Sequence, residues 1–134
     1  IEQKSPKGRY LYKKIEKIKN EYDWILKQAL KEKPEDGVLF VKHPHTNHSF
    51  VGDLATELSY RTKSVLIVGR EDEGRMKMSI RSTDVKISDI IADSINGLDA
   101  YGGGHELACG ASVNINDFDE FLERFKKGVN QRKK

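Results

Sequence analysis

The segment of this sequence best suited to chemistry is three glycines followed by a histidine, Gly102-Gly103-Gly104-His105. Glycine lacks a Cβ, so its backbone N–H groups can come close to an anion such as phosphate. The imidazole of His105 could donate a hydrogen bond to the same anion. Three glycines cost conformational entropy and add no packing, and anion binding is a benefit that would offset this cost. The alternative is a flexible loop in which the histidine is incidental.

A second candidate group lies on Met76–Arg81, where apolar and polar residues alternate strictly. This alternation predicts a strand that points its methionines and isoleucine toward a core, with Ser79 and Arg81 on the other face. The guanidinium of Arg81 is always charged, and its planar fork suits a phosphate group. Ser82 follows directly and offers a further hydroxyl donor.

Two other groups contain residue types that can bind a metal or act as a nucleophile. His43, His45 and His48 lie within six residues, but their spacing matches no standard zinc site and no acidic residue lies between His43 and Gly52. We interpret these histidines as turn residues. The single cysteine, Cys109, lies in a compact segment and is interpreted as a small packed side chain rather than a nucleophile.

The elements that must position these residues follow from hydrophobic periodicity. The predicted order is helix, strand, helix, strand, strand, helix, strand, helix. This order indicates an α/β fold with a mixed sheet of about four to five strands, flanked by helices. The two middle strands are expected to form an antiparallel hairpin, and the three glycines are expected to break the chain before the last strand. Ser49, Ser88 and Asn116 stand where helix N-caps are expected.

The first helix is long and amphipathic, with an apolar seam that repeats about every 3.5 residues. The seam consists of Leu11, Ile15, Ile18, Tyr22, Ile25 and Ala29. It could cover the rest of the chain, a neighbouring domain or a second copy in a homodimer. We predict that residues 1–36 form this helix and a linker, and that residues 37–134 form the binding domain.

Composition and charge limit the classes of protein that are possible. Of 134 residues, 37% are hydrophobic and 34% charged, and no apolar run is longer than the four residues of Val65–Val68, so we expect a globular protein that does not span a membrane. The charged N-terminus predicts no signal peptide, and one cysteine suits a reducing compartment, so we expect a cytoplasmic location. The chain begins with Ile rather than Met, from which we expect a piece of a longer protein.

Charge is concentrated at the two ends of the chain. Residues 1–33 hold ten Lys and Arg against five Asp and Glu, and residues 121–134 hold six against one. These basic ends are either a footprint for nucleic acid or ordinary solvated helices that carry excess lysine.

The order of motifs resembles a known domain family. A strand ending in Ser79-Ile80-Arg81-Ser82 precedes an amphipathic helix, then Gly-Gly-Gly-His, then Ala108-Cys109-Gly110. This arrangement, over about residues 38–125, resembles the DHH-associated domain of RecJ-type phosphoesterases. The family usually has Ala-Ala-Gly at residues 108–110, and Cys for Ala is a small apolar exchange.

The resemblance implies roles for particular residues. In this family the glycines and histidine bind substrate phosphate or a terminal nucleotide, which implies this role for Gly102, Gly103, Gly104 and His105. It also implies phosphate contact by Arg81, with Ser79 and Ser82 beside it. The family's catalytic centre binds two divalent metals, often manganese, in a separate DHH domain. The present sequence has no Asp-His-His motif, so we expect no metal and no catalytic residue in this chain.

The function expected from the resemblance is substrate binding within a larger enzyme. The chain would be the C-terminal domain of a RecJ-like exonuclease or oligonucleotide phosphodiesterase, and would bind single-stranded nucleic acid next to its own upstream DHH domain. DNA, RNA, a cyclic dinucleotide and a polyphosphate all stay open as substrates. Two alternatives are a free-standing nucleic-acid-binding module, as attached to alanyl-tRNA synthetases, and a dimerisation domain built on the first helix.

Overall fold

A five-stranded mixed sheet with helices on both faces is the core of the fold formed by the residues described after Lys31. The computed structural model describes residues 6–133. The helices are α1 (Pro6–Ala29), α2 (Val51–Ser59), α3 (Ile87–Ser94) and α4 (Phe118–Lys133). The strands are β1 (Val38–Lys42), β2 (Val65–Asp72), β3 (Arg75–Arg81), β4 (Ala100–Gly104) and β5 (Ala108–Asn114). The predicted α/β fold class is confirmed.

The strands lie in the order β1-β2-β3-β5-β4. β1 runs parallel to β2, and the other three pairings are antiparallel. Glu73 and Gly74 connect β2 to β3, both at positive φ (52° and 76°). Two positive φ values are typical of a type I′ turn, whose twist matches that of the flanking strands. The predicted antiparallel hairpin is therefore present.

One face of the sheet carries the main hydrophobic core. Every second residue of β3 is apolar and packs against α3 and α4. Neighbouring strands add Ile67, Cys109 and Val113 to this core. The rings of Phe118, Phe121 and Phe125 follow one another along α4 with centroids about 6 Å apart. This core fixes β3 and β5 and thereby the residues on their opposite face.

The opposite face is covered over only part of its width. α2 packs on β2 and β3 through its buried residues Leu54, Ala55 and Leu58. Farther across the same face, Gly103 of β4 and Gly110 of β5 are exposed. This half of the sheet therefore presents its polar face to solvent.

The described residues form two compact units, divided after Lys31. The first contains α1, a helix of 24 residues. Within its predicted apolar seam, Ile25 and Ala29 are buried, whereas Leu11 and Ile15 are about half exposed (46% and 51%). The prediction that the seam packs against the rest of the chain, a neighbouring domain or a second copy stays a prediction. None of the helices in residues 6–133 has the length and hydropathy that a bilayer-spanning helix requires.

The three glycines do not break the chain as expected. They form the end of β4, an edge strand paired antiparallel with β5. A Cβ on Gly102 would lie 2.9 Å from the Cβ of Ala111, and one on Gly104 would lie 2.7 Å from the carbonyl oxygen of Ala108. Glycine thus permits an approach to β5 that a side chain would prevent, so these residues extend the sheet.

The three expected N-caps are also wrong. α2 begins after Phe50, whose backbone N–H donates to Nε2 of the buried His43 (3.0 Å), so a histidine fixes the start of this helix instead of Ser49. Lys86 is the N-cap of α3, and Ser88 lies inside the helix. The side chain of Asn114, not Asn116, accepts the N–H bond that starts the turn before α4 (2.9 Å).

Candidate phosphate-binding face

Pairing of β3, β5 and β4 places nine residues in three rows on the polar side of the sheet, where Ser112 is buried and the other eight are at least partly exposed. We call these residues the open face. The rows, read from β3 across β5 to β4, are Lys77–Ser112–Tyr101, Ser79–Gly110–Gly103 and Arg81–Ala108–His105. The backbone bond from His105 N–H to the Ala108 oxygen (2.9 Å) extends the register of β4 by one residue to complete the third row.

The middle of the open face is almost bare backbone. Gly110 and Gly103 lie side by side next to Ser79, and Ala108 is the only side chain between Arg81 and His105 in their row. A Cβ on Gly103 would meet nothing within 4 Å, and one on Gly110 would only reach the Met78 carbonyl oxygen at 3.6 Å. The space above both glycines is therefore open to a ligand.

The free edge of β4 adds backbone N–H donors beside Gly103 and Gly110. His105 and Asp99 both bond to β5, so the residues that bond inward are the odd-numbered ones. The N–H groups of Gly102 and Gly104 consequently point away from the sheet, and both residues are exposed. Gly103 and Gly104 have φ values of 157° and 147°, a conformation that other residues rarely adopt.

Arg81 supplies a positive charge that has no acidic partner. Its Nη1 donates to the carbonyl oxygens of Ile80 (3.0 Å) and Cys109 (3.3 Å), and within residues 6–133 no carboxylate forms an ion pair with it. Carbonyl contacts hold the guanidinium in place without neutralising it. An anion on the neighbouring glycines would therefore find an uncompensated cation.

The turn that carries His105 is tied to the end of β3. Ser82 N–H donates to the Leu107 oxygen (3.0 Å), and Ile87 N–H donates to the Glu106 oxygen (2.8 Å). These bonds hold His105 at the same end of the sheet as Arg81. The hydroxyl of Ser82 accepts from Val85 N–H (2.9 Å), so its observed use is to shape the turn before α3.

Tyr101 is a residue of the open face that sequence reasoning did not single out. Its ring is 66% exposed, and the guanidinium of Arg75 lies 5.3 Å from the ring centroid. Arg75 is held by Asp99 and by Ser112. An exposed aromatic ring of this kind can stack on a base. The sequence did contain a signal for Tyr101: it lies two residues before Gly103, and residues two apart on a strand lie on the same face.

His43 and Cys109 lie away from the open face, and their polar atoms bond to nearby backbone groups. The buried imidazole of His43 bonds to Pro44 through Nδ1 (2.6 Å) and accepts from Phe50. Cys109 is buried, its Sγ donates to the His105 oxygen (3.0 Å), and burial raises the pKa of its thiol. Within residues 6–133, no cluster of three or more His, Cys, Asp or Glu side chains is suited to a metal ion.

Comparison with protein families decides the classification. The DHHA1 domain model matches residues 35–131. The chain belongs to the DHHA1 domain family. The match includes all five strands and the whole of the open face, so the family resemblance expected from the sequence is confirmed. A search of curated proteins gave no significant match.

Solved structures similar to this DHHA1 domain belong to larger proteins and to an isolated domain. RecJ from Thermus thermophilus in complex with Mn²⁺ has a TM-score of 0.65 at 19% identity, over 83% of this chain and 16% of RecJ. The pGpG-specific phosphodiesterase PggH from Vibrio cholerae has a TM-score of 0.63 at 12% identity, over 96% of this chain and 44% of PggH. The C-Ala domain of alanyl-tRNA synthetase from Aquifex aeolicus has a TM-score of 0.58 at 18% identity, over 75% of this chain and 98% of that domain. These likenesses establish the fold, and this chain spans only a small part of RecJ.

Proposed function

We propose that this DHHA1 domain binds the terminal phosphate of a single-stranded nucleic acid or short oligonucleotide on its open face. The observation that carries the proposal is the bare middle row, Ser79–Gly110–Gly103, next to the unpaired charge of Arg81 and the exposed His105. Small residues leave room for a phosphate, and the flanking groups supply charge and directional donors.

Each group has a distinct task in this arrangement. Arg81 would neutralise the phosphate and donate two parallel hydrogen bonds, for which the guanidinium geometry is suited. Ser79 and His105 would donate from either side, and the outward N–H groups of Gly102 and Gly104 would contact oxygen atoms at the edge. Tyr101 would lie under the first base. Ser82 accepts from Val85 N–H and would still have its O–H to donate to the phosphate beside Arg81.

We further propose that this domain serves as the substrate-binding part of a larger phosphoesterase. The chain spans 16% of the Thermus RecJ and 44% of PggH, which is named a phosphodiesterase, and it spans 31% of another similar structure that is named the exonuclease RecJ. Two-metal hydrolysis needs several converging carboxylates and imidazoles. We expect an upstream DHH domain to hold manganese or another divalent metal and to cleave the strand, while the present domain holds its end.

A second candidate function is RNA binding by the domain alone. Its support is the coverage of 98% of the C-Ala domain of alanyl-tRNA synthetase by this chain. Such a module would bind RNA without preference for a terminal phosphate. Self-association through α1 stays a further prediction, for which the solution mass of the chain is the test.

Fluorescence anisotropy with labelled single strands, with and without a 5′-phosphate, separates these functions. We expect the chain to bind the phosphorylated strand about tenfold more tightly, and Arg81→Ala to remove that preference. Arg61→Ala is the matched control, because Arg61 is exposed and forms an ion pair with Glu57 one helical turn away. Equal affinity for both strands, in DNA and RNA form, would reject terminal-phosphate recognition and favour the RNA-binding module.

A further inference from the structure

We propose that the open face continues into a second phosphate-binding subsite, so that the preferred ligand is an oligonucleotide of about three nucleotides or more rather than a mononucleotide. This inference rests on the proposed function of the open face. The second subsite is a groove between the start of α2 and the strands β2 and β3, with a volume of about 430 Å³. Its lining residues include Ser49, Gly52, Arg70, Asp72, Lys77 and Ser79.

The groove and the open face share two residues. Ser79 and Lys77 belong to the open face and also line the groove. A strand bound at Arg81 could therefore follow the polar side of β3 into the groove without leaving the protein surface. Arg81 and Lys77 are four residues apart on one face, which corresponds to about 13–14 Å. That separation spans about two internucleotide steps of an extended strand.

Arg70 gives the groove its positive charge. Its Nη2 donates to the Thr46 oxygen, which anchors the guanidinium at the groove wall. Within the described part of the chain, that carbonyl is its one hydrogen-bond acceptor, its Nε is enclosed without an acceptor, and no carboxylate forms an ion pair with it. Arg70 therefore resembles Arg81 in being held by backbone and in forming no contact ion pair within the described residues, while Asp72 lies near enough for its charge to interact with that of Arg70.

Lys77 and Asp72 form an exposed pair at 3.0 Å beside Arg70. This hydrogen bond lowers the pKa of Asp72 and raises that of Lys77, so both are charged at neutral pH. Their charges cancel, and the groove keeps the net charge of Arg70. The groove is thus a weaker site than the open face, as suits a phosphodiester that follows a tightly held terminal phosphate.

Gly52 allows the charge of the groove to be changed without disturbing its packing. A Cβ on Gly52 would meet nothing within 4 Å, and the residue is exposed in the first turn of α2. Gly52→Glu would add a negative charge at a helix position that tolerates acidic residues, and Gly52→Lys would add a positive one. The two variants form a matched pair that also replaces glycine by a better helix former.

The test is the affinity for 5′-phosphorylated oligothymidylates of one, two, three and five nucleotides, measured by isothermal titration calorimetry on the 134-residue chain. We expect affinity to rise about tenfold or more between one and three nucleotides and then to level off. Arg70→Ala and Gly52→Glu should remove most of this rise, Gly52→Lys should keep or increase it, and none should change affinity for the mononucleotide. Thermal melting of each variant checks folding.

Two results would overturn the subsite. One is an affinity that does not depend on length while Arg81→Ala weakens every ligand. The other is a length dependence that Arg70→Ala and Gly52→Glu leave intact. Failure of the proposed function is distinguishable from both, because Arg81→Ala would then leave binding of the mononucleotide and of every longer strand unchanged.

Discussion

The open face and helix α4 both carry arginine and lysine, but they differ in how those charges are paired. On α4, Arg124 and Lys127 each pair with a glutamate one turn earlier (3.4 and 3.3 Å), and Lys126 pairs with Glu35 (3.6 Å). On the open face, Arg81 is held by carbonyl oxygens alone within residues 6–133. Three cations of α4 are therefore already paired with glutamates, whereas Arg81 on the open face is not.

This difference shows why a count of charges is a poor guide to a binding site. Residues 121–134 carry six Lys and Arg against one Asp or Glu, yet three of these cations are paired, with Glu123 inside the segment, with Glu120 just before it and with Glu35. A cation that lies beside bare backbone and lacks an acidic partner can interact with a phosphate without breaking an existing ion pair. We therefore expect specific binding at the open face and only weak, salt-sensitive attraction at α4.

The largest effect is expected from reversing equal charges in the two regions. Arg81→Glu and Lys127→Glu change the net charge by the same amount, so they control for general electrostatic attraction. We expect Arg81→Glu to weaken binding of a 5′-phosphorylated strand about 100-fold and Lys127→Glu about twofold. Equilibrium binding at fixed low salt measures both. A larger loss for Lys127→Glu would reverse the comparison and place the site on the basic helix.

The second prediction concerns a side chain placed in the middle row of the open face, where Gly110 and Gly103 leave only backbone. Gly110→Val should weaken binding about tenfold, because the new side chain occupies the space above the sheet that the phosphate needs. Folding should be little affected, since a Cβ at Gly110 has only ordinary contacts and valine suits a strand. Affinity and thermal melting of this variant are compared directly. Undiminished affinity in a folded Gly110→Val protein would mean that no ligand lies on this row.

The third prediction concerns the donor at the far end of the Arg81 row. His105→Ala should weaken binding about three- to tenfold, because it removes one hydrogen-bond donor and leaves Arg81 in place. His105→Asn restores a side-chain donor and should recover part of the loss. If Ala and Asn at residue 105 bind as tightly as His, the imidazole does not contact the ligand.

The smallest effect on binding is expected on the core side of the sheet. Cys109→Ala should change affinity less than twofold and lower stability by about 1 kcal/mol, because Cys109 packs in the core. Burial raises the pKa of this thiol, so the unfolded chain ionises first as pH rises. Stability of the original chain should therefore fall as pH rises above the ordinary thiol pKa, and this component should be absent in Cys109→Ala. Denaturant unfolding at several pH values tests the difference.

Several parts of the fold could be predicted because each depends on local pattern. The alternation of Met76–Arg81 gave the strand and its polar face, and the apolar run Val65–Val68 gave its buried neighbour in the hairpin. The edge strand β4 could not be predicted in this way. Its glycines have low strand propensity, and they form a strand only because β5 offers partners at close approach.

The candidate site could be predicted only in part, for a similar reason. Gly102–Gly104, His105, Arg81 and Ser79 could be named from residue type and family resemblance. Gly110 was missed because its membership depends on the register between strands β3, β5 and β4. Tyr101 was missed because the glycines after it were expected to break the chain and not to continue a strand. Sequence spacing along one strand does not report which residue of another strand lies beside it.

The most direct test of the account is a two-dimensional ¹H–¹⁵N NMR titration of the chain with a 5′-phosphorylated trithymidylate. It reports the location of binding without any substitution. We predict that the largest amide shifts occur at Gly103, Gly104, His105 and Gly110, with the side-chain Nε–H of Arg81 shifting in parallel. Shifts confined to α1 and α4, with the glycine amides unmoved, would contradict the central claim that the open face binds phosphate.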